Sequence, residues 1–416
     1  MSEPDHQERS DIIPAAPTET VTSNPLRTLL WGQGLRDFGD GFVAVLLPVY
    51  LTALGFSPFE IGALAGTALL GSALLTLAMG FLGVRYDLRL LLISAAGLMT
   101  ATGVALATAD SYALLLVVAF LGTINPTAGT VSSFVPVEHA VLTRETADAE
   151  RTKVFARYSL VGGLASAGGA LAAAAPEIFM RLGWPQLSAL KAMFAVYAVL
   201  GLIAGLLYTR IPRRPPAQLG FTQALGPSRW TVYKLAALFS IDAFAGGFAV
   251  QSLLALWLFE RFDLSLSVAS LFFFWSGVLA AFSFPVAAWI SRRIGLINTM
   301  VFTHIPASLC LILAAFAPSL PLALGLLLMR AALSQMDVPT RSSYVMAVVT
   351  EAERTAAASF TSVPRSLAAS LSPALAGALF SLSWLGTPLI LCGALKIAYD
   401  LALLNQFRHV KPPEER

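Results

Sequence analysis

The sequence is poor in the residues from which most enzyme sites are built. Only 12% of its 416 residues are charged, against about 25% in an ordinary soluble domain. Its two cysteines, Cys310 and Cys392, lie far apart and form no CxxC or metal-binding spacing. Its four histidines are scattered, at positions 6, 139, 304 and 409. A membrane enzyme would need a metal cluster or nucleophile pair at membrane depth, so we expect no catalytic site, no metal and no cofactor.

Phosphate-binding loops are missing as well. The glycine-rich segment Gly162–Gly169 lies in an apolar run and has no Gly-Lys-Ser/Thr after it. Without an ATP-binding motif, we expect the chain to draw on an ion gradient or on the gradient of its own solute.

The two cysteines lie in apolar runs, where we expect small core residues. We expect no nucleic-acid partner.

Hydrophobic residues make up 56% of the chain, and the mean hydropathy is +0.73. Twelve apolar runs are long enough to cross a bilayer as helices. They are roughly 26–54, 58–83, 88–109, 113–137, 153–175, 187–208, 231–258, 266–290, 294–316, 321–349, 356–382 and 387–404. The sequence therefore predicts an all-α membrane protein with twelve transmembrane helices in two six-helix halves.

A polar basic connector separates the two sets of six runs. The predicted parts are a disordered cytoplasmic tail (1–25), an N-terminal bundle (26–208), a cytoplasmic linker (209–230), a C-terminal bundle (231–407) and a cytoplasmic tail (408–416). Basic residues concentrate in the even-numbered connections, among them Arg85, Arg144, Arg210, Arg292 and Arg354. By the positive-inside rule, both termini should be cytoplasmic. We expect the chain to lie in the cell's inner (plasma) membrane.

The two halves repeat each other at corresponding places. Phe38–Phe42 (FGDGF) in run one matches Phe244–Phe248 (FAGGF) in run seven. The tetrapeptide Ala-Glu-Arg-Thr follows both run four, at 149–152, and run ten, at 352–355. Pro126-Thr127 likewise corresponds to Pro339-Thr340. A duplicated six-helix unit is the layout of alternating-access carriers.

The segment between runs two and three carries a family motif, roughly G-x-x-x-D-R-x-G-R-R. Gly80 and Arg85 are kept, whereas Val84 stands at the acidic position and Asp87 at the second glycine. With this motif, the chain from about 26 to 407 resembles the major facilitator superfamily. The resemblance implies secondary transport, and a gating role for Arg85 and for Arg293 in the equivalent second-half loop. No drug-antiporter or sugar-porter signature is present, so the motifs leave the substrate class open.

Charged residues inside the spans are candidate transport groups, because such a charge costs about 2.5–3.5 kcal/mol at the centre of a spanning helix. In the family that the chain resembles, helices one, four, seven and ten line the central cavity. The resemblance then implies a substrate- or proton-binding set of Arg36, Asp37, Asp40, Asn125, Asp242, Gln251, Arg330 and Asp337. Arg341 and Arg365 are expected to be gate or interface residues. The alternative is that these charges form static ion pairs joining the halves.

Helical spacing predicts particular pairs among these groups. Arg36 and Asp40 are four residues apart and should pair, while Asp37 points about 100° away. In run ten, Arg330, Asp337 and Arg341 should share one helical stripe.

Three further polar marks are expected to have no transport role. Glu138 should be wetted at the cytoplasmic end of run four. His304 should be a packing residue. Lys396 and Asp400, four residues apart, should neutralise each other.

These observations predict a monomeric secondary transporter that binds a small solute and protons within the lipid bilayer. Proton-coupled efflux of a drug or metabolite is our first hypothesis, and uptake of an organic anion the second. The alternative of a different class is a non-transporting membrane sensor on a transporter fold.

Overall fold

The computed structural model describes residues 25–127, 134–146, 151–213, 225–350, 353–382 and 384–409. The predicted tails before residue 25 and after 409, and half of the connector (214–224), lie outside these residues. Within the described ranges the regular structure is helical and contains no strand. The prediction of an all-α membrane protein is confirmed.

Sixteen helices account for the twelve predicted runs. The first half contains α1 (Pro25–Ala53), α2 (Pro58–Arg85), α3 (Leu88–Thr108), α4 (Tyr112–Leu121), α5 (Val135–Glu145), α6 (Arg151–Ala172), α7 (Ala175–Arg181) and α8 (Gln186–Tyr208). The second half contains α9 (Arg229–Gly247), α10 (Gln251–Phe262), α11 (Leu266–Ile294), α12 (Leu296–Ala315), α13 (Leu320–Ser334), α14 (Asp337–Ala347), α15 (Arg354–Leu382) and α16 (Thr387–Phe407).

Nine segments of the described chain are long and apolar enough to cross a membrane. The other three predicted runs correspond to α1, to α4 with α5, and to α15. Helix α1 carries Arg36, Asp37 and Asp40 at its middle, and α15 is rich in serine and contains Pro364 and Pro373. The helices are therefore consistent with twelve spans, of which three are unusually polar or short.

Runs four, seven and ten are each divided within their length. In run ten, α13 ends at Ser334 and α14 begins at Asp337. Pro339 lacks an N–H, and its ring crowds the carbonyl of Gln335 four residues earlier, so the helix is interrupted there. The stripe predicted along one helix is thus split between two: Arg330 lies on α13, whereas Asp337 and Arg341 lie on α14.

The repeated glycines of runs one and seven make equivalent helix contacts. A Cβ on Gly41 would overlap the backbone carbonyl of Ser166 on α6. A Cβ on Gly247 would lie 2.6 Å from the backbone carbonyl of Ala369 on α15. Small residues let two backbones approach this closely. The same packing in both halves supports the duplication inferred from the sequence.

Contacts between the halves include several on the far side, which we define as the side of the molecule opposite the connector. Gly66 on α2 approaches α15, where a Cβ would lie 2.6 Å from the carbonyl oxygen of Ser370. The Glu177 carboxylate on α7 accepts hydrogen bonds from the N–H, at 3.1 Å, and the hydroxyl of Ser267 at the start of α11. These contacts position the two halves around the polar groups described next.

Candidate functional site

Charged side chains gather in two buried clusters, one in each half. The first-half cluster comprises Arg36, Asp37, Asp40, Asn125, Glu138, Tyr158, Tyr197 and Tyr208. The second-half cluster comprises Asp242, His304, Asp337, Arg341, Lys396 and Asp400. The burial of most of these side chains, Arg36 and Asp242 among them, requires partners for their charges.

Arg36 is the cation of the first-half cluster. Its Nη2 lies 2.8 Å from Asp37 Oδ1, and its Nη1 lies 3.0 Å from Glu138 Oε2. The expected Arg36–Asp40 pair is not formed, and the expectation that Asp37 points elsewhere is wrong. The guanidinium of Arg36 has N–H donors in two directions, and it binds one carboxylate on its own helix α1 and one on α5. The i,i+4 rule describes exposed helix surfaces and does not predict a partner on another helix.

Glu138 is fully buried, so its predicted exposure to water is wrong. Besides Arg36, two hydroxyl groups donate to its carboxylate: that of Tyr158, and that of Tyr208 at 3.0 Å. The residue enters this position because α5 packs beside α1 and α6, and Tyr208 reaches it from the end of α8. Its polar sequence surroundings gave no sign of this. The two tyrosines in apolar runs were the available signal, because a buried tyrosine hydroxyl needs a partner.

Asp40 is bound by neutral groups. The Tyr197 hydroxyl donates to Oδ1 at 3.1 Å, and Asn125 Nδ2 lies 3.5 Å from Oδ2. Asp40 is only 1% exposed, and among the described residues no cation lies within ion-pair distance of it. The first-half cluster therefore holds three carboxylates and one guanidinium.

Asp242 is the centre of the second-half cluster. Its Oδ1 lies 2.7 Å from Lys396 Nζ, and its Oδ2 lies 3.3 Å from Arg341 Nη1. Arg341 also bonds Asp337 at 2.8 Å, across one turn of α14. These contacts join α9, α14 and α16 within the second half, so Arg341 binds within its own half rather than between the halves.

His304 is a member of the same network, which corrects its assignment as a packing residue. Its Nδ1 lies 3.0 Å from Asp400 Oδ2, and its Nε2 lies 3.3 Å from Lys396 Nζ. The imidazole lies between Lys396 and Asp400, so these two do not neutralise each other as predicted. The sequence signal for this network was the presence of three polar residues on two otherwise apolar helices, His304 on α12 and both Lys396 and Asp400 on α16. Their partners depend on how α12 and α16 pack.

A cavity of about 350 Å³ lies between the halves and is lined mostly by the second half. Its walls include Asp242, Gln251, His304, Arg330, Arg365 and Lys396. The first half contributes small residues of α6, such as Gly163 and Ser166, together with Thr127. Of the predicted cavity groups, Asp242, Gln251 and Arg330 line it. Within the described residues, Arg36, Asp37, Asp40, Asn125 and Asp337 do not.

Two arginines on the cavity wall have no carboxylate partner among the residues that the structure describes. Arg365 Nε is buried and makes no hydrogen bond. The ionisable side chains that act on Arg330 are the thiols of Cys392 and Cys310. Both cysteines are free and buried, which confirms their assignment as core residues.

Two of the residues expected to act as a gate, Arg85 and Arg293, lie apart from the cavity, whereas Arg365 lines it. Arg85 and Arg293 are exposed at the connector-side ends of α2 and α11, and the Arg293 guanidinium lies 4.1 Å from the centre of the Trp289 ring. The side chain of Val84 lies outside the described part of the chain. The gating role of Arg85 and Arg293 stays a prediction.

Known proteins resemble the chain in sequence and in fold. An uncharacterized membrane protein of Saccharomyces cerevisiae, YJR124C, is 24% identical, with 91% of this chain and 93% of the yeast protein covered. The crystal structure of the nucleoside transporter NupG (D323A mutant) matches at a TM-score of 0.73 and 16% identity, covering 92% of this chain and 100% of that one. A D-xylose-proton symporter matches at a TM-score of 0.72 and 16% identity, covering 94% and 98%.

The family model described as Major Facilitator Superfamily matches residues 29–334. This match spans most of both halves and includes helices that carry each polar cluster. The resemblance first suggested by the degraded motif at Arg85 and by the repeat is therefore confirmed. The chain belongs to the Major Facilitator Superfamily of secondary transporters.

Proposed function

We propose that this transporter couples the movement of a small solute to protons and works by alternating access between its halves. The observation that carries the proposal is the acid excess of the first-half cluster. Asp37, Asp40 and Glu138 are each at most 4% exposed, and they share the single cation Arg36. With Arg36 and the three carboxylates ionised, the cluster has a net charge of −2, which is costly at membrane depth. Binding a proton reduces that cost.

Asp40 is the carboxylate that we assign to the proton. Asp37 and Glu138 are tied to Arg36, whereas the direct partners of Asp40 are neutral. The ionisable groups that face it are Arg36 and Asp37 on α1 and Tyr197 on α8. The Tyr197 hydroxyl donates to the charged carboxylate, and it can accept a hydrogen bond from the protonated one. The site can therefore hold Asp40 in either state.

A short path connects Asp40 to the cavity. Asn125 contacts Asp40, the carbonyl of Pro126 accepts the N–H of Ser252 at 3.2 Å, and Thr127 lines the cavity. Three consecutive residues in the interruption of run four thus contact the proton site, the second half and the solute space. Movement of Asn125 when Asp40 changes charge would be transmitted to α10 and to the cavity wall.

The comparisons support the same class of reaction. One solved structure with this fold is named as a proton symporter, and another as a nucleoside transporter. Both likenesses lie in the fold alone, so the solute of this chain is a separate question.

Proteoliposomes that enclose the pH indicator pyranine would test the proposal. Uridine, D-xylose or benzenesulfonate is added outside, and the pH of the lumen is followed. We expect at least one solute to change that pH with the wild type. Asp40→Asn should abolish the response, and Asp263→Asn, at an exposed position with φ +47° where Asn is tolerated, should retain it.

The sign of the response decides direction. Lumen acidification indicates symport and the uptake hypothesis, whereas alkalinisation indicates antiport and the efflux hypothesis. Solute entry without a pH change in the wild type would overturn proton coupling. No entry of any of the three solutes would favour the non-transporting sensor.

A further inference from the structure

We propose that Arg330 and Arg365 bind the anionic group of a small amphipathic organic anion in the central cavity. This assignment rests on the proposed function as a solute carrier and names its substrate class. It follows from the distribution of charge on the cavity wall.

The carboxylates near the cavity already have cationic or imidazole partners. Asp242 is bound by Lys396 and Arg341, and Asp337 is bound by Arg341. Asp400 is bound by His304. The second-half cluster together with the two wall arginines contains four arginine or lysine side chains (Arg330, Arg341, Arg365 and Lys396) and three carboxylates (Asp242, Asp337 and Asp400). This set thus has an excess of positive charge, without counting His304. On the described cavity wall itself, Arg330, Arg365 and Lys396 accompany one carboxylate, Asp242.

Arg330 is poorly satisfied by the protein around it. A guanidinium has five N–H donors, and a thiol is a weak acceptor for any of them. No hydrogen bond or ion pair of its guanidinium occurs among the described residues. Its ionisable neighbours are the thiols of Cys392 and Cys310, which supply no anion to pair with it. An anion in the cavity would supply the missing acceptor.

Arg365 is under repulsion as well as unsatisfied. Its Nε is buried without a hydrogen-bond partner, and the repulsive charge of Arg341 acts on it more strongly than the attractive charge of either Asp242 or Asp337. Like charges at short distance in a medium of low dielectric repel strongly. An anion bound at Arg365 would offset this repulsion. Planar oxyanions such as carboxylates, and also sulfonates and phosphates, match the guanidinium fork.

The rest of the wall selects the body of the ligand. Phe272, Phe273, Leu254 and Leu327 contribute apolar surface, and Gln251 contributes a polar group. A cavity of about 350 Å³ is at the small end of ordinary ligand pockets. A single- or double-ring organic anion fits these properties. A cationic or zwitterionic solute would need a free carboxylate, and Asp242 on this wall is already bound by two cations.

The test is equilibrium binding to purified wild-type protein in detergent, with no ion gradient. The anionic probes are 1-naphthalenesulfonate, benzenesulfonate and phenyl phosphate, and 1-naphthylmethylamine is the matched cation. We expect saturable binding and a raised melting temperature with at least one anion, and no effect of the amine. Arg330→Gln and Arg365→Gln should each weaken binding tenfold or more. Arg292→Gln, which changes an exposed arginine outside the cavity, should leave it unchanged.

Two further experiments test the assignment, one with lysine variants and one by competition on the wild type. Arg330→Lys and Arg365→Lys keep the charge and should bind more tightly than the glutamine variants. If the glutamine variants do not fold, competition on the wild type decides: unlabelled anions should displace bound 1-naphthalenesulfonate and the amine should not. The proposal is overturned if none of the three anions binds, if the amine binds as tightly, or if both folded glutamine variants retain wild-type affinity.

This test is separate from that of proton coupling. Anion binding in detergent without solute-driven pH changes in liposomes would leave the assignment standing and overturn the coupling. Proton movement driven by uridine or D-xylose, with no binding of any anion in detergent, would support proton coupling and overturn the anion assignment.

Discussion

The first-half cluster places three carboxylates around one guanidinium, whereas the second-half cluster and the adjoining cavity wall hold more cations than carboxylates. Both are built on the same duplicated scaffold, and the packing of Gly41 and Gly247 shows how closely the halves agree. They differ in position too: Asp40 is hydrogen-bonded by Tyr197 away from the cavity, while Asp242 lines the cavity. The comparison teaches that duplication preserved the helix contacts while the charges diverged, so the halves can carry different tasks.

The number of cations in each cluster leads to the prediction with the largest effect. Arg36→Met leaves three buried carboxylates without their cation, and we expect it to destabilise the protein by about 3–5 kcal/mol. Arg341→Met should cost less, about 1.5–3 kcal/mol, because only Asp337 then loses its cation while Asp242 keeps Lys396. Thermal unfolding of the purified variants in detergent measures both.

The matched control is Arg292→Met, which removes an exposed arginine at the end of α11 and should change stability by no more than about 0.5 kcal/mol. An Arg36→Met variant as stable as this control would show that the first-half cluster is already protonated or hydrated. Equal losses for Arg36→Met and Arg341→Met would remove the contrast between the halves.

A smaller effect concerns Glu353, a carboxylate outside the spans and outside both clusters. Its side chain accepts hydrogen bonds from Thr350 and Ser228, and from the backbone N–H of Gly226 at 2.6 Å, where α9 begins. These bonds, with that of the Thr350 side chain as the largest contribution, lower the pKa of Glu353 from 4.5 to about 2. A lowered pKa contributes stability above the unfolded value, and this stability is lost as the pH falls through the folded value.

We therefore expect the melting temperature of the wild type to fall by a few degrees more than that of Glu353→Gln between pH 4.5 and pH 2. The Gln variant should already be less stable at pH 7, since its amide cannot accept these bonds as a carboxylate does. Parallel pH profiles of the two proteins would remove Glu353 from the account. The result also bears on the comparison of the clusters. It gives the lowest pH at which the protein stays folded, and pH effects on transport can be assigned to the clusters only above that pH.

The fold could be predicted from the sequence because a bilayer imposes long apolar runs and a charge bias in loops. The charged groups Asp40, Asp242 and Arg330 stood out for the same reason, since a charge inside an apolar run is costly. Their partners could not be predicted. Glu138 and His304 reach their networks through packing between helices distant in sequence, and the pattern around neither residue identifies its partners.

Residue spacing along one helix predicted the wrong ion pairs for side chains that are buried. The i,i+4 rule paired Arg36 with Asp40, and Lys396 with Asp400, as on an exposed helix. In the structure each of the two cations binds a carboxylate on another helix, because a buried charge takes the arrangement that satisfies most of its donors. The cavity wall depends likewise on the interruptions of runs four, seven and ten. Runs four and ten contain Pro126 and Pro339, whereas run seven has no proline to indicate its interruption.

The division of tasks between the halves is tested most directly by transport of 1-naphthalenesulfonate, which stays charged and does not cross the bilayer as a neutral acid. Proteoliposomes with wild type, Asp40→Asn and Arg330→Gln are assayed for exchange without a gradient and for accumulation driven by a pH gradient. We predict that Asp40→Asn keeps exchange and loses accumulation, while Arg330→Gln loses both. Full accumulation by Asp40→Asn, or normal exchange by Arg330→Gln, would contradict the account.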